Sequence, residues 1–208
     1  MKNRYTKVTQ LCLFVLMSGL LSNIQTAQGQ TNMGFESSPD LTGWTGVGAT
    51  ISTGQTLLSW TIKPADLKMA AIVPSSNYMS GSAESALGLS SGTMSTKFGG
   101  SVTNFGILYQ DIYIAASGTV SFYWNYVSED YSPYNDGSFA SLTKSGTTQQ
   151  IKCLVMTVAN ISDVGILPTG SYGSSGWHIV TFTATDAGTY RLGFGCFNWA
   201  DQGYQPHL

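Results

Sequence analysis

Apolar and polar residues alternate with a period of two along most of this 208-residue chain. The clearest example is Gly176–Asp201, where Val180 and then Leu192 and Phe194 mark the apolar sides of two successive strands. Turn-forming residues at Asp186–Gly188 separate the two strands. Because alternation places one side of a strand in a core and the other towards water, we expect these strands to pair as a half-buried antiparallel hairpin.

Similar short strands, separated by turns rich in glycine, serine and asparagine, are predicted along the rest of the chain. They are Ala49–Thr53, Leu57–Ile62, Met69–Val73, Ser85–Ser90, Gly106–Ile114, Thr119–Val127, Ser138–Lys144 and Gln149–Val158. No window keeps an apolar period of 3.6 residues long enough to predict a helix. Residues 30–208 are therefore predicted to form one all-β domain, a two-sheet antiparallel β-sandwich of jelly-roll (galactose-binding-like) type.

The N-terminus has the features of a secretory signal peptide. Cationic residues up to Lys7 precede an apolar run at Leu11–Leu21, and Ala27-Gln28-Gly29 offers small residues for cleavage. The apolar run is shorter than the roughly 20 residues of a membrane-spanning helix, so no membrane insertion is expected. We expect residues 1–29 to be removed and the protein to be secreted, either free or held at the cell surface.

Charge and composition narrow the class of partner. Without the leader and its three cations, 6 Lys and Arg stand against 11 Asp and Glu, a net charge of about −5. No basic patch is present, so nucleic acid and anionic membranes are poor candidate partners. Few charged residues and many Gly, Ser, Thr and aromatic residues are typical of an extracellular all-β protein.

Two cysteines, Cys153 and Cys196, remain after the leader. Each lies on the apolar side of its predicted strand. One interpretation is a disulfide between neighbouring strands, and the other is a pair of buried free thiols. We expect the disulfide, because secretion permits oxidation and an even number of cysteines remains.

Several short motifs give the chain a resemblance to known modules. They are Asn32-Met33-Gly34-Phe35-Glu36 followed by Gly43-Trp44, then Tyr134-Asn135-Asp136, and near the end Gly188-Thr189-Tyr190, Asn198 and Asp201. The set resembles the N-x-G-F-E…G-W opening, the Y-N-D segment and the closing strands of secreted bacterial jelly-roll modules. These include carbohydrate-binding modules and domains of exported surface proteins. Such modules usually end with a further strand beyond the position of Leu208. Either the chain is a fragment of a longer protein, or the last strand is missing or supplied differently.

The resemblance also implies a structural calcium ion. In such modules the glutamate after G-F and aspartates near the final strands hold the ion, which points to Glu36 and Asp201, with Asp136 as a third. Calcium takes six to eight hard oxygen ligands, and carboxylates from both ends of the chain would tie the sandwich together. The alternative is that Glu36 and Asp201 are ordinary surface acids and that Asp136 caps its own turn.

The predicted strands Gly106–Ile114 and Thr119–Val127 carry aromatic and polar residues on their outward side. Flat rings with polar neighbours suit a sugar, whose C–H face packs on an aromatic ring while its hydroxyls form hydrogen bonds. The alternative is that these residues form ordinary cross-strand pairs. The predicted sugar-binding residues are Tyr109, Asp111, Tyr113, Tyr123 and Asn125, with Trp199 on the last strand as an extension.

Catalysis has one sequence motif in its favour. Gly88-Leu89-Ser90-Ser91-Gly92 matches the G-x-S-x-G pattern, which marks a nucleophile only between a strand and a helix of a mostly parallel sheet. The chain has neither the spaced glutamates of jelly-roll glycosidases nor a zinc pattern. We therefore expect a non-catalytic module that binds a polysaccharide or another glycan. The alternative is a structural or adhesive domain of a cell-surface or extracellular matrix protein.

Overall fold

A computed structural model describes residues 33–36, 41–64 and 67–208. In these ranges the elements are β1 Thr45–Val47, β2 Ala49–Ser52, β3 Gln55–Leu57, β4 Trp60–Ile62, β5 Met69–Ile72, α1 Ser80–Leu87, α2 Thr93–Phe98, β6 Val102–Ile114, β7 Thr119–Ser128, β8 Gly137–Lys144, β9 Thr148–Met156, β10 Ser174–Thr183, β11 Gly188–Trp199 and β12 Pro206–His207. All strand pairs among them are antiparallel. The prediction of an all-β, antiparallel fold is confirmed.

The first layer is a five-stranded sheet in the order β1-β6-β11-β8-β9. Its central strand, β11, is buried on both faces along most of its length. Glycines make this possible, because a Cβ on Gly193 would lie 2.4 Å from a methyl carbon of Leu87 in α1. A Cβ on Gly195 would lie 2.6 Å from the carbonyl oxygen of Gly106 and equally close to the ring of Phe139. These positions therefore let β11 pack closely against its neighbours.

The second layer is built around the three-stranded sheet β10-β7-β12. The main chain of Leu208, just after β12, exchanges two hydrogen bonds of 2.8 and 3.0 Å with Ile72 of β5. Through this contact β5 and its partner β2 continue the layer. Side chains of both layers, such as Leu192 of β11 with Trp124 and Val180 of the second layer, share one apolar core.

The predicted hairpin of the last two long strands is wrong in its pairing. β10 pairs with β7, and Phe182 lies opposite Val120, whereas β11 pairs with β6 and β8. Residues 184–187 therefore cross from one layer to the other. Alternation could not show this, because Val180 and Leu192 face the same core from opposite layers.

The predicted strand at Ser85–Ser90 is also wrong, because its first half belongs to α1 and its second half is the loop that follows. Together with α2 this helix covers the outer face of the five-stranded sheet, where Leu87 and Phe98 join Phe139 in a second apolar core. The two helices have eight and six residues, too short for a clear 3.6-residue period. Within the described ranges, neither helix has the length and apolar character needed to cross a membrane.

The predicted disulfide is wrong, since Cys153 and Cys196 are both buried free thiols. Strand β8 lies between their strands β9 and β11, so about two strand spacings, or roughly 10 Å, separate the two positions. The cysteines also face opposite ways. Cys153 lies in the core under the helices and Cys196 in the core between the layers. A disulfide needs Cα atoms within about 7 Å and converging side chains.

Candidate functional site

The sugar-binding face predicted from the sequence is divided between two layers. Tyr109, Asp111 and Tyr113 lie on β6 in the five-stranded sheet, and Tyr109 packs against the core under the helices. Tyr123 and Asn125 lie on β7 in the second layer. The outward positions follow the predicted alternation on each strand. The six predicted residues do not form one continuous platform, because β6 and β7 are not neighbours in one sheet.

Arg191 already engages part of the β6 set. Its guanidinium lies 4.7 Å from the ring centroid of Tyr109 and makes two hydrogen bonds, of 2.7 and 2.9 Å, to the carboxylate of Asp111. A third hydrogen bond reaches the carbonyl oxygen of Ala86 in α1 at 2.7 Å. This side chain therefore links the helix to the sheet. Tyr113 is 39% exposed.

The β7 set lies on a small exposed face. Tyr123, 64% exposed, stands opposite Ile179 of β10, and Asn125 stands opposite the exposed Trp177. Of the predicted face, Tyr123 and Asn125 are thus brought together here, beside Trp177 and Ile179, which were not predicted. Trp199 lies at the end of β11 in the other layer and is half-buried.

A larger aromatic surface, which was not predicted from the sequence, lies where β7 ends. The ring centroid of Tyr131 is 5.4 Å from that of Tyr134, 6.0 Å from that of Tyr172 and 6.1 Å from that of Tyr204. Tyr131, Tyr172 and Tyr204 are 38%, 46% and 53% exposed. We term these four residues the tyrosine patch. Trp60 borders it, because its indole N–H donates to the carbonyl oxygen of Tyr172 at 3.0 Å.

Main-chain hydrogen bonds hold the loops that carry the patch. The N–H of Tyr134 donates to the carbonyl of Tyr131, and the N–H of Tyr172 donates to the carbonyl of Asp130, both at 2.9 Å. Tyr172 has a φ of 57°, a left-handed conformation that is uncommon for a bulky residue. Strained backbone of this kind concentrates at functional sites. The patch is thus held in shape by the fold itself.

Of the four tyrosines in the patch, only Tyr131 and Tyr134 lie close together in the sequence. Tyr172 and Tyr204 come from two other loops, where no periodic pattern indicates which way a side chain faces. Tyrosines that are far apart in sequence and lie in loops can be grouped only once the connections between strands are known.

Buried carboxyl groups lie next to the patch. Asp130 accepts the N–H of Tyr131 at 2.7 Å, and Asp136 accepts the N–H of Trp199 at 2.8 Å. The second oxygen of each carboxyl has no hydrogen-bond partner among the described residues. Burial raises the pKa of Asp136 to about 8, with the charges of Asp130 and Asp201 adding to the effect and the Trp199 hydrogen bond opposing it. Burial likewise raises the pKa of Asp130.

The predicted calcium ligands are not brought together as a set. Asp136 and Asp201 lie near enough for the charge of Asp201 to raise the pKa of Asp136. Glu36 instead accepts the N–H of Lys68 at 2.7 Å, just before β5. In the part of the chain that the structure describes, no three His, Cys, Asp or Glu side chains are arranged to hold a metal ion. Calcium binding stays a prediction.

Ser90 of the G-x-S-x-G motif lies between α1 and α2, not after a strand. Its hydroxyl accepts a hydrogen bond of 2.9 Å from the side chain of Gln149, whose oxygen accepts the N–H of Ser90 at 3.0 Å. The ring of His178 is bonded to the carbonyl of Ser175 at 2.8 Å. The strand-to-helix geometry that gives this motif its catalytic meaning is therefore not formed around Ser90.

Comparison with known proteins adds no assignment. No protein-family model matches the chain, and no curated protein matches it. The resemblance to secreted jelly-roll modules thus stays a prediction from short motifs. The tyrosine patch is the feature from which a function can be argued.

Proposed function

We propose that this protein is a secreted, non-catalytic module of jelly-roll type that binds a polysaccharide or another glycan on the tyrosine patch. The observation that carries the proposal is that the exposed rings of Tyr172 and Tyr204 meet the exposed ring of Tyr131. Such rings stack on the apolar face of a sugar, and their hydroxyls form hydrogen bonds with the sugar hydroxyls. A contiguous exposed aromatic surface is typical of a binding site.

The electrostatics of the patch favour a neutral glycan. The hydroxyl of a tyrosine can both donate and accept hydrogen bonds, as the hydroxyls of a neutral sugar require. The nearby acids Asp130 and Asp201 would repel sulfate or carboxylate groups. The whole chain has a net charge of −2, which points the same way.

The proposal is tested by electrophoresis in gels that contain a panel of neutral polysaccharides. We expect one of them to retard the wild-type protein and Tyr131→Ala to weaken binding about thirtyfold, since a central tyrosine contributes about 2 kcal/mol. Tyr113→Ala is the matched control. It removes a similarly exposed tyrosine, 39% against 38%, from β6, where the tyrosine patch has no residue.

Two results would change the assignment. If Tyr123→Ala abolished retardation while Tyr131→Ala did not, the site would be the β7–β10 face and not the tyrosine patch. If no polysaccharide retarded the wild-type protein, glycan binding would be wrong. The alternative function, a structural or adhesive domain that contacts a cell-surface or matrix protein, would then be favoured.

The same gels test the calcium prediction. The second oxygens of Asp130 and Asp136 are buried beside the patch and have no hydrogen-bond partner among the described residues. If calcium stabilises the site, a chelator weakens retardation and Asp201→Asn has the same effect. Retardation that is identical with calcium and with chelator would contradict it.

A further inference from the structure

A groove passes through the second layer between β7 and β5, in line with β12. Its volume is about 680 Å³, including the open mouth, and its lining is mostly apolar. The hairpin β3–β4 contributes to its outer side. The apolar residues that line it include Leu57, Ile62, Leu108, Phe122, Trp124 and Phe194.

Part of the β7 edge that forms one wall of the groove is not paired with any strand among the described residues. The N–H groups of Tyr126 and Ser128 are hydrogen-bonded to the β10 side, each at 2.9 Å. Because successive residues of a strand point their main-chain groups to opposite sides, those of Tyr123 and Asn125 point into the groove. β12 pairs with this edge of β7 only at Ser128 and Val127. No described strand pairs with this edge at Tyr123 or Asn125.

The edge of β5 that forms the other wall is likewise not paired with any described strand before Ile72. Ile72 bonds to Leu208, whereas the N–H of Val73 donates to the carbonyl oxygen of Gly48 on the other side at 2.8 Å. By alternation the main-chain groups of Ala70 point into the groove. β12 and Leu208 bond to both walls at the mouth, which shows that the two walls are one strand apart there.

The main-chain groups on the two walls distinguish a small apolar molecule from an extended peptide as the occupant of the groove. A small apolar molecule would cover the main-chain groups of Tyr123, Asn125 and Ala70 without bonding to them, which is unfavourable. An extended peptide would bond to both walls and place alternate side chains on the apolar floor. The buried indole N–H of Trp124, which lines the groove and has no partner among the described residues, is a further donor.

We propose that this groove binds an extended segment of a partner protein, which adds to the second layer as a strand antiparallel to both β7 and β5. The segment has apolar side chains at alternate positions and polar ones between them. The net negative charge of the chain favours a partner segment with flanking cations. No residue of the tyrosine patch takes part, so this interaction and glycan binding can fail independently.

The probe is a synthetic peptide of alternating valine and threonine with a lysine at each end. Its control has the same composition with the valines consecutive. Calorimetry measures binding, and hydrogen exchange locates it. We expect the amides of Tyr123, Asn125 and Ala70 to exchange rapidly in the free protein and at least about tenfold more slowly with the peptide. The amides of Phe122 and Trp124 point towards β10 and are expected to exchange slowly in both states.

Two proline variants test the wall directly. Ala70→Pro removes one N–H that points into the groove and is expected to weaken peptide binding about tenfold, as for one lost hydrogen bond. Ile51→Pro is the matched control. Ile51 is the register partner of Ala70 on β2 and directs its N–H away from β5, so binding is expected to stay unchanged. Retardation by glycan should be the same in both variants.

Joining the peptide sequence directly to Leu208 fills the groove from within the same chain. This variant is expected to melt at a higher temperature and to bind no free peptide. The proposal is overturned if the two peptides bind equally or not at all, or if binding leaves Tyr123 and Asn125 unprotected. Unchanged melting of the joined variant would also contradict it. If the apolar dye ANS binds the groove and the peptide does not displace it, the occupant is a small apolar ligand.

Discussion

Asp136 gives the fold a dependence on pH that can be worked out in advance. In the folded protein, burial raises the pKa of its carboxyl to about 8. In the unfolded chain an aspartate has a pKa of about 3.9. At pH values between these two pKa values, the carboxyl of Asp136 is protonated in the folded protein and ionised in the unfolded chain. The free energy of unfolding therefore falls as pH rises from about 4 to about 8, and the stabilising effect is complete only below about 4.

The slope of this effect is about 1.4 kcal/mol per pH unit while only the folded state is protonated. Between pH 5 and pH 7 the contribution of Asp136 thus falls by about 2.7 kcal/mol. Asp136→Asn cannot ionise and keeps an oxygen that can accept the N–H of Trp199. We expect the variant to gain stability relative to the wild type by about this amount over the same range.

Urea unfolding, followed by tryptophan fluorescence at pH 5, 6, 7 and 8 in the presence of a chelator, measures the effect. Burial lowers the pKa of His207, which gives a pH dependence of opposite sign, so the difference between wild type and variant is the relevant quantity. Asp186→Asn makes the same substitution at an exposed position between β10 and β11 and is the control. Equal slopes for wild type and Asp136→Asn would refute the reasoning.

Two further predictions concern packing and thiol chemistry. Gly195→Ala is expected to lower the free energy of unfolding by about 1–3 kcal/mol, because the added methyl would lie 2.6 Å from the main chain of Gly106. Gly81→Ala in α1 adds a methyl group where the Cβ position is open, so it should be neutral or stabilising in the same urea titration. If both variants lost the same free energy of unfolding, the close packing at Gly195 would be contradicted. Burial raises the pKa of Cys153 to about 12 and that of Cys196 as well, so neither thiol should react with Ellman's reagent before unfolding. Rapid reaction of the folded protein would contradict this burial.

Alternation predicted strand positions and the sides that they bury, as at Tyr190, Leu192 and Phe194. It could not predict which strands pair. Val180 and Leu192 show the same apolar alternation although their strands lie in different layers. The prediction of a disulfide between the two cysteines was wrong for a related reason. Both faces of the five-stranded sheet are apolar, so an apolar position does not specify which core it occupies.

The candidate site was less accessible to prediction than the fold. Tyr123 and Asn125 were correctly placed outward because they lie on a strand with a clear period. Tyr131, Tyr172 and Tyr204 come from separate loops, and only the tertiary structure brings their rings together. The patch proposed to bind glycan is formed by loop geometry, which hydrophobic periodicity does not encode.

The most direct test of glycan binding at the tyrosine patch is to follow the ring signals of labelled tyrosines by NMR. The ligand is an oligosaccharide of the polysaccharide that retards the protein. We expect the signals of Tyr131, Tyr172 and Tyr204 to shift on titration while those of Tyr113 and Tyr123 stay in place. Shifts confined to Tyr113 or Tyr123, or binding without any change at Tyr131, would contradict this expectation.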